Sequence, residues 1–253
     1  MADTVDEMTE RLLVDAGIVP GMQVLDVGCG SGDVSILLAK LVGESGQVLG
    51  LDRDEQSLIA ARKRSGQLAL TNVTFAQADL CALLPGLGPF DAAVGRRVIM
   101  YLPDPVDTMR RLAAILRPGG LVVFQEHDST MVPGRQKPLP LHEQVHGWIW
   151  QTIKREGANI HMGFDLPIVL MQAGLMVENV RAEAIVQTPQ IPYPVAAIVR
   201  AMLPRIIQQG VANEEEINIG TLEQRLNDER VGTNSTYVSD MVFGAWARKS
   251  GST

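Results

Sequence analysis

The chain has 253 residues, 46% of them hydrophobic, which is enough apolar material for one large domain with a sizeable core. The net charge is −7, and the only basic cluster is the short Arg62-Lys63-Arg64, so a nucleic-acid partner is not expected. No apolar run approaches the roughly 18 residues of a membrane span, and the acidic opening MADTVDEMTE is unlike a secretory signal. Two cysteines, Cys29 and Cys81, make neither a disulfide framework nor a metal-ligand spacing, as suits a reducing cytoplasm, and no metal site is expected.

Helices and strands alternate through the first half. Residues Thr4 to Ala16 place Val5, Met8, Leu12 and Leu13 on one helical face, and Gly17 with Pro20-Gly21 ends that helix. Gln23 to Val27 reads as the first strand, followed by glycines at 28, 30 and 32 and a helix from Val34 to Val42 capped by Ser31 or Asp33. Strands are predicted at Gln47–Asp52, Val73–Ala76, Phe90–Val94 and Leu121–Glu126. Helices are predicted at Asp54–Ser65, with Leu58 and Ile59 buried, and at Asp104–Leu116, with Arg117-Pro118-Gly119-Gly120 as a sharp stop. The segment carrying Asp79 runs on to a turn at Pro85-Gly86. Five apolar strands alternating with helices make a parallel sheet covered on both faces.

The pattern then changes. Ser129 to Pro140 is rich in proline and polar residues, and helices follow at His142–Arg155 and Asp165–Ala173. Met176–Gln187 reads as strand six and Tyr237–Ala247 as strand seven, with helices at Val195–Gln209 and Glu214–Asp228 between them. The expected architecture is α/β: a doubly wound, seven-stranded, mostly parallel sheet with helices on both faces. One domain spans 1–253, its core at about 20–128, 163–188 and 234–249. Helical inserts at about 129–162 and 189–233, after strands five and six, would form a lid. Trp148 and Trp150 cannot share a helix face, so one is expected in the lid core and the other at a pocket. The stripe Val195, Ile198, Val199, Met202 and Ile206 is either core or a dimer face, leaving monomer and homodimer both open.

Three carboxylates fall at successive strand ends: Asp26 before the glycines, Asp52 after strand two and Asp79 after strand three. Ligands of open α/β sheets bind outside the carboxyl ends of the strands. Carboxylates there suit hydroxyls, an exocyclic amine and a cation; a pyrophosphate would require unopposed helix amides instead.

The stretches VLDVGCGSG, VLGLDRDE, VTFAQADL, FDAAVGRRVIMYLPDP and LRPGGLVVFQEHD, in this order across residues 20 to 128, resemble the class I S-adenosylmethionine-dependent methyltransferases. The subgroup looks like the small-molecule enzymes of ubiquinone and menaquinone biosynthesis. This resemblance implies S-adenosyl-L-methionine as cofactor and a small, largely apolar methyl acceptor. It implies that Gly28 and Gly30 admit the methionine part, with Cys29 and Ser31 in the same turn, and that Asp26 orients the loop or holds the amino group. Asp52 would accept from both ribose hydroxyls, with Arg53 beside the adenine. Asp79 would accept from the adenine amine between Ala78 and Leu80, and Gly95 and Arg96 would line the methyl-transfer end. Arg96-Arg97 departs from the small or uncharged residues of many relatives, Arg96 standing between substrate anchor and structural ion pair and Arg97 reading as structural.

An acceptor that must lose a proton requires a base. His127, at the end of strand five, is the leading candidate, with His142 and His146 behind it and Tyr101 as a substrate-side hydroxyl. His142 and His146 are four apart on one helix, a spacing compatible with a metal, but no further ligand accompanies them. Two other readings remain: a non-methylating descendant that keeps the cofactor, such as a cyclase or regulator, and a dinucleotide-dependent oxidoreductase. The latter is opposed by the missing third glycine of GxGxxG.

Overall fold

The structure is a computed structural model, and it describes residues 4–82, 87–130 and 134–250. The predicted turn at Pro85-Gly86 and part of the proline-rich stretch, residues 131–133, lie outside the described residues. The chain divides into two units. The first is Met1–Glu126, Met162–Ala182 and Phe243–Thr253; the second is His127–His161 and Glu183–Val242. The second unit holds most of the residues expected as inserts, together with the ends of the strands that flank them.

In the first unit, helix α1 (Thr4–Ala16) precedes strand β1 (Gln23–Val27), α2 (Asp33–Val42), β2 (Gln47–Asp52), α3 (Glu55–Gln67), β3 (Val73–Gln77), β4 (Phe90–Arg96) and α4 (Pro105–Ala114). Strand β5 (Leu116–Asp128) starts here, and α6 (Met162–Gln172), the start of β7 (Met176–Gln187) and the end of β8 (Tyr237–Arg248) complete the unit. The sheet order is β3-β2-β1-β4-β5-β8, with β7 on β8. Parallel pairing is direct from β1 to β2 (Gln23↔Gln47) and from β1 to β4 (Val24↔Ala92). Strand order therefore reverses beside β1, which opens the crevice in which doubly wound sheets bind ligands.

The local chemistry explains the elements. Val24, Leu25, Ala92, Ala93, Val122 and Val123 are all buried, as strands covered on both faces require. Helix α3 starts where the Asp54 side chain accepts the backbone N–H groups of Gln56 and Ser57 at 3.3 and 3.1 Å. Helix α4 starts in the same way at Asp104, which accepts from Asp107 N–H at 2.8 Å with Pro105 in the first turn. Asn72 donates to the carbonyls of Ala39 and Gly43, both at 2.8 Å, satisfying the end of α2. The predicted face of α1 is buried at Val5, Met8, Leu12 and Leu13.

Several expectations are corrected. Helix α2 is preceded by Gly32 in the left-handed region with no side-chain cap, so neither Ser31 nor Asp33 caps it. Ile59 is exposed while Leu58 is buried, because only one face of α3 meets the sheet. Helix α4 ends at Ala114, ahead of the expected stop, but Arg117 to Gly120 already belong to β5, whose Leu116 pairs with Phe90 before a bulge. An eighth strand joins the expected seven among the described residues, the two-residue β6 (Gly134–Arg135), antiparallel to β8 through Arg135↔Tyr237.

In the second unit, helices α5 (Pro140–Arg155), α7 (Val195–Gln208), α8 (Glu214–Ile217) and α9 (Leu222–Thr233) accompany β6. The single helix expected over 214–228 is two, because Asn218 takes a left-handed conformation at φ 43° and ends the first. Helices α5, α7 and α9 pack on one another, and two of them help to finish a neighbour. Glu229 of α9 accepts the N–H groups of Leu141 and His142 at 2.8 and 3.0 Å at the start of α5. Arg155 at the end of α5 donates to Gln209 O and Gly210 O at the end of α7. Val199, Met202 and Ile206 are buried, which makes the α7 stripe a core face. Trp148 and Trp150 are both buried, so α5 is covered on more than one side.

Leu12 occupies the space left by a glycine in β8: a Cβ on Gly244 would lie 2.7 Å from its Cδ1. Leu12→Ala is therefore expected to lower unfolding stability by about 3 kcal/mol in urea titrations.

Candidate active site

The turn after β1 is built from backbone conformations that only glycine adopts freely. Gly28, Gly30 and Gly32 have φ of 67°, 51° and 84°. A Cβ on Gly28 would lie 2.3 Å from Val98 Cγ2, so the segment after β4 sits directly on the turn. A Cβ on Gly30 would meet nothing within 4 Å, which leaves open space over the middle of the turn. Asp52, at the end of β2, fixes that glycine: its Oδ2 accepts Gly30 N–H at 2.8 Å while Oδ1 accepts Asp54 N–H at 2.9 Å. Asp79 accepts Cys81 N–H at 2.9 Å and so starts the 3₁₀ turn Leu80–Ala82.

A cavity of about 210 Å³ lies against these groups. Gly28, Asp52, Arg53, Ala78, Asp79 and Leu80 line one side of it, and Arg97, Val98, Tyr101 and Pro103 another. The structure thus gathers six of the twelve residues expected around a cofactor, together with Tyr101, which was expected on the substrate side. Two carboxylates and two guanidiniums share the cavity, a lining that suits a polar, zwitterionic nucleoside better than a bare polyphosphate.

Other expected residues lie beside the cavity. Asp26 is buried at 1% exposure and accepts from Ser35 Oγ at 2.5 Å beneath the turn. Cys29 is buried with its N–H on Leu51 O, and burial pushes its thiol up, so it stays neutral and unreactive. The Ser31 carbonyl accepts from Arg64 at 2.8 Å. Gly95 is inside the sheet, where a Cβ would lie 2.3 Å from the Phe124 ring. Arg96 turns to α1, donating to Asp6 at 2.7 Å and Thr9 at 3.1 Å, and it is Arg97 that lines the cavity. Of the two readings left open for Arg96 this is the structural ion pair, whereas Arg97, expected to be structural, lines the cavity. The cause is backbone geometry: Arg97 takes φ 54° in a bend one residue after β4.

The histidines expected as bases belong to the second unit, where each is held by a carboxylate. His142 Nδ1 lies 2.7 Å from Glu229, and His146 Nε2 donates to Asp240 Oδ1 at 2.6 Å. Trp150 Nε1 donates to the same oxygen at 3.0 Å, and His127 Nδ1 lies 3.7 Å from Asp240 Oδ2. Burial opposes charge on Asp240, but the flanking His127 and His146 hold it well below the usual carboxylate range. No set of three metal-ligand side chains gathers among the described residues. Asp240 was not anticipated; the signal was a carboxylate inside the apolar strand VSDMVFGAWA.

Residues 18–184 match the family model described as a methyltransferase domain. The chain belongs to that family. A demethylmenaquinone methyltransferase of Staphylococcus aureus strain MRSA252 is 32% identical to this methyltransferase-family chain over 144 residues, which is 57% of this chain and 56% of the relative. The chain thus spans about half the length of the curated relatives it matches. A SAM-dependent methyltransferase from Aquifex aeolicus superimposes with a TM-score of 0.57 at 18% identity, covering 95% of this chain and 88% of that one. The [4+2]-cyclase SpnF superimposes with a TM-score of 0.59 at 19% identity, covering 98% and 82%. Both likenesses establish the fold.

Two buried carboxyls of the methyltransferase domain titrate late. Burial raises Asp26 from 3.8 to about 7, against the opposing Ser35 bond. Burial likewise raises Glu126 from 4.5 to about 7, against backbone hydrogen bonds from Ile99 and Val98. The folded chain therefore holds protons that the unfolded chain has lost. Their contribution to stability is complete below about pH 4 and is lost as pH rises through about 7. Asp26→Asn is expected to flatten the decline of the urea midpoint between about pH 5 and pH 8, leaving only the Glu126 part.

Proposed function

We propose that this chain transfers the methyl group of S-adenosylmethionine to a small, largely apolar acceptor at oxygen, nitrogen or carbon. The observation that carries the reading is the cavity itself: an open glycine turn with Asp52 and Asp79 at successive strand ends. The residues present fit the cofactor. Asp52 keeps lone pairs beyond its two backbone bonds and would accept the ribose hydroxyls. Asp79 would accept the adenine amine, with Ala78 and Leu80 beside the ring and Arg53 at its edge. Gly28 would let the methionine part approach the backbone, and Arg97 would meet a carboxylate. S-adenosylmethionine, when bound, supplies the methyl group on a sulfonium that is its own leaving group. The protein's task is then to align the acceptor, exclude water and move a proton.

For proton removal the reading keeps His127. It follows Glu126 directly along β5, and Asp240 beside its Nδ1 favours the tautomer whose Nε2 carries the lone pair. The name of the staphylococcal relative supports a quinone-like acceptor. The charge of −7 supports a small molecule over nucleic acid, and the free cysteines support a cytoplasmic setting. The likeness to SpnF favours a second reading, a cyclase that retains the cofactor without spending its methyl group.

Product analysis decides between the two: methyl transfer adds about 14 Da to the acceptor, whereas cyclisation leaves its mass unchanged. Asp52→Ala is expected to weaken S-adenosylhomocysteine binding by about 10- to 100-fold in isothermal titration, as the loss of charge-assisted bonds requires. His127→Ala is expected to lower kcat by about 100-fold or more while leaving S-adenosylhomocysteine affinity within about twofold; unchanged turnover removes the base assignment.

A further inference from the structure

Glu126 is a carboxylate at 0% exposure in the last position of the first unit's stretch of β5. Residues before it, Val122, Val123 and Phe124, are fully buried apolar side chains, so a carboxylate buried here must be bound to offset its lost hydration. It is bound on one side only. Oε1 accepts the N–H groups of Val98 at 3.0 Å and Ile99 at 2.8 Å, while Oε2 is buried without a hydrogen-bond partner among the described residues. The two amides belong to the segment that follows β4 and turns through Ile99–Tyr101.

That segment is the wall of the cavity. Arg97, Val98, Tyr101 and Pro103 line it, and Val98 presses on the Gly28 position. Arg97 holds a left-handed backbone at φ 54°, a conformation disfavoured for a side-chain-bearing residue and kept only where neighbours over-determine it. Those neighbours are in β5: Arg97 N–H donates to Gln125 O at 2.9 Å, and the next two amides donate to Glu126. The end of β5 therefore grips three consecutive N–H groups of the wall, two of them through one carboxylate oxygen.

We propose that Glu126 is the positioning residue of the cofactor cavity: its carboxylate clamps the 98–99 backbone and so sets Arg97, Val98 and Tyr101 against the glycine turn. This rests on the reading of the cavity as an S-adenosylmethionine site. Glu126 touches no reacting atom in this scheme and acts through the wall. Its ionised form grips the amides by charge-assisted bonds, roughly twice as strong as neutral ones. Burial places its titration near pH 7, and the charged group that acts on it is Arg97. The clamp therefore tightens as pH rises through neutrality. Asp26 titrates in the same range under the turn, and His127 is the next residue after Glu126 along β5.

The test is isothermal titration of S-adenosylhomocysteine into the full chain and its Glu126→Gln and Glu126→Ala variants, from about pH 6 to pH 9. Wild type is expected to bind more tightly as pH rises. Glu126→Ala should bind about tenfold or more weakly at pH 8, since two amides lose their acceptor. Glu126→Gln, which keeps one acceptor oxygen without the charge, should fall between the two, with a flatter pH profile that retains only the Asp26 part. Leu12→Ala, destabilised elsewhere in the same unit, should bind as wild type does and so separates positioning from lost stability. A Glu126→Gln variant with wild-type affinity and an unaltered pH profile overturns the clamp. Wild type that does not bind S-adenosylhomocysteine overturns the cofactor reading itself.

Discussion

The hydrogen bond from Gly30 N–H to the Asp52 carboxylate organises the first unit. It joins the glycine turn after β1 to the end of β2, the strand paired with β1 on the side away from β4. Its geometry requires a left-handed turn, and that turn in turn demands glycine at 28, where Val98 leaves no room for a Cβ. The same carboxylate accepts Asp54 N–H, so one side chain fixes both the glycine turn and the start of α3. The cavity is the space left when these constraints are met together.

Burial of charge divides along the same lines. Asp26 and Glu126 lie under the turn and behind the cavity wall, and desolvation lifts both to about 7. Each holds a structural hydrogen bond that a ligand does not compete for: Ser35 for Asp26, and the Val98 and Ile99 amides for Glu126. Asp240 in the second unit moves the other way, because His127 and His146 compensate its burial. One protein thus carries carboxyls poised near neutrality beside its cavity and a firmly ionised one between two imidazoles. The first arrangement costs stability as pH rises; the second keeps a carboxylate ionised in a buried place.

In the second unit side chains of one helix close the ends of another. Glu229 satisfies the start of α5, and Arg155 at the far end of α5 satisfies the last carbonyls of α7. Arg230 reaches the carbonyls of Thr188 and Pro189 and Asn227 Oδ1. Short helices whose ends are closed by side chains of their neighbours keep register without long hydrophobic seams. The buried faces of α5 and α7, including both tryptophans, supply the rest.

What the sequence determined by itself was local. Strand patterns and the turn residues around them placed β1, β2, β7 and the start of β8 to the residue, and the periodicity of α1 named its buried face, because burial forces a period on any segment that has an inside and an outside. The spacing of Gly28, Gly30 and Gly32 with Asp52 and Asp79 marked the cavity, since a backbone that must bend that sharply has few residue choices. Tertiary structure decided which of two adjacent arginines faces the cavity. That turned on one positive φ at Arg97, held by amide contacts with β5 that lie almost thirty positions away in the chain. It also decided the partners of His127, His146 and Glu126, and broke the helix expected over 214–228 at Asn218. Those outcomes depend on contacts between distant segments, and no local pattern encodes a distance between residues that meet only in the folded chain.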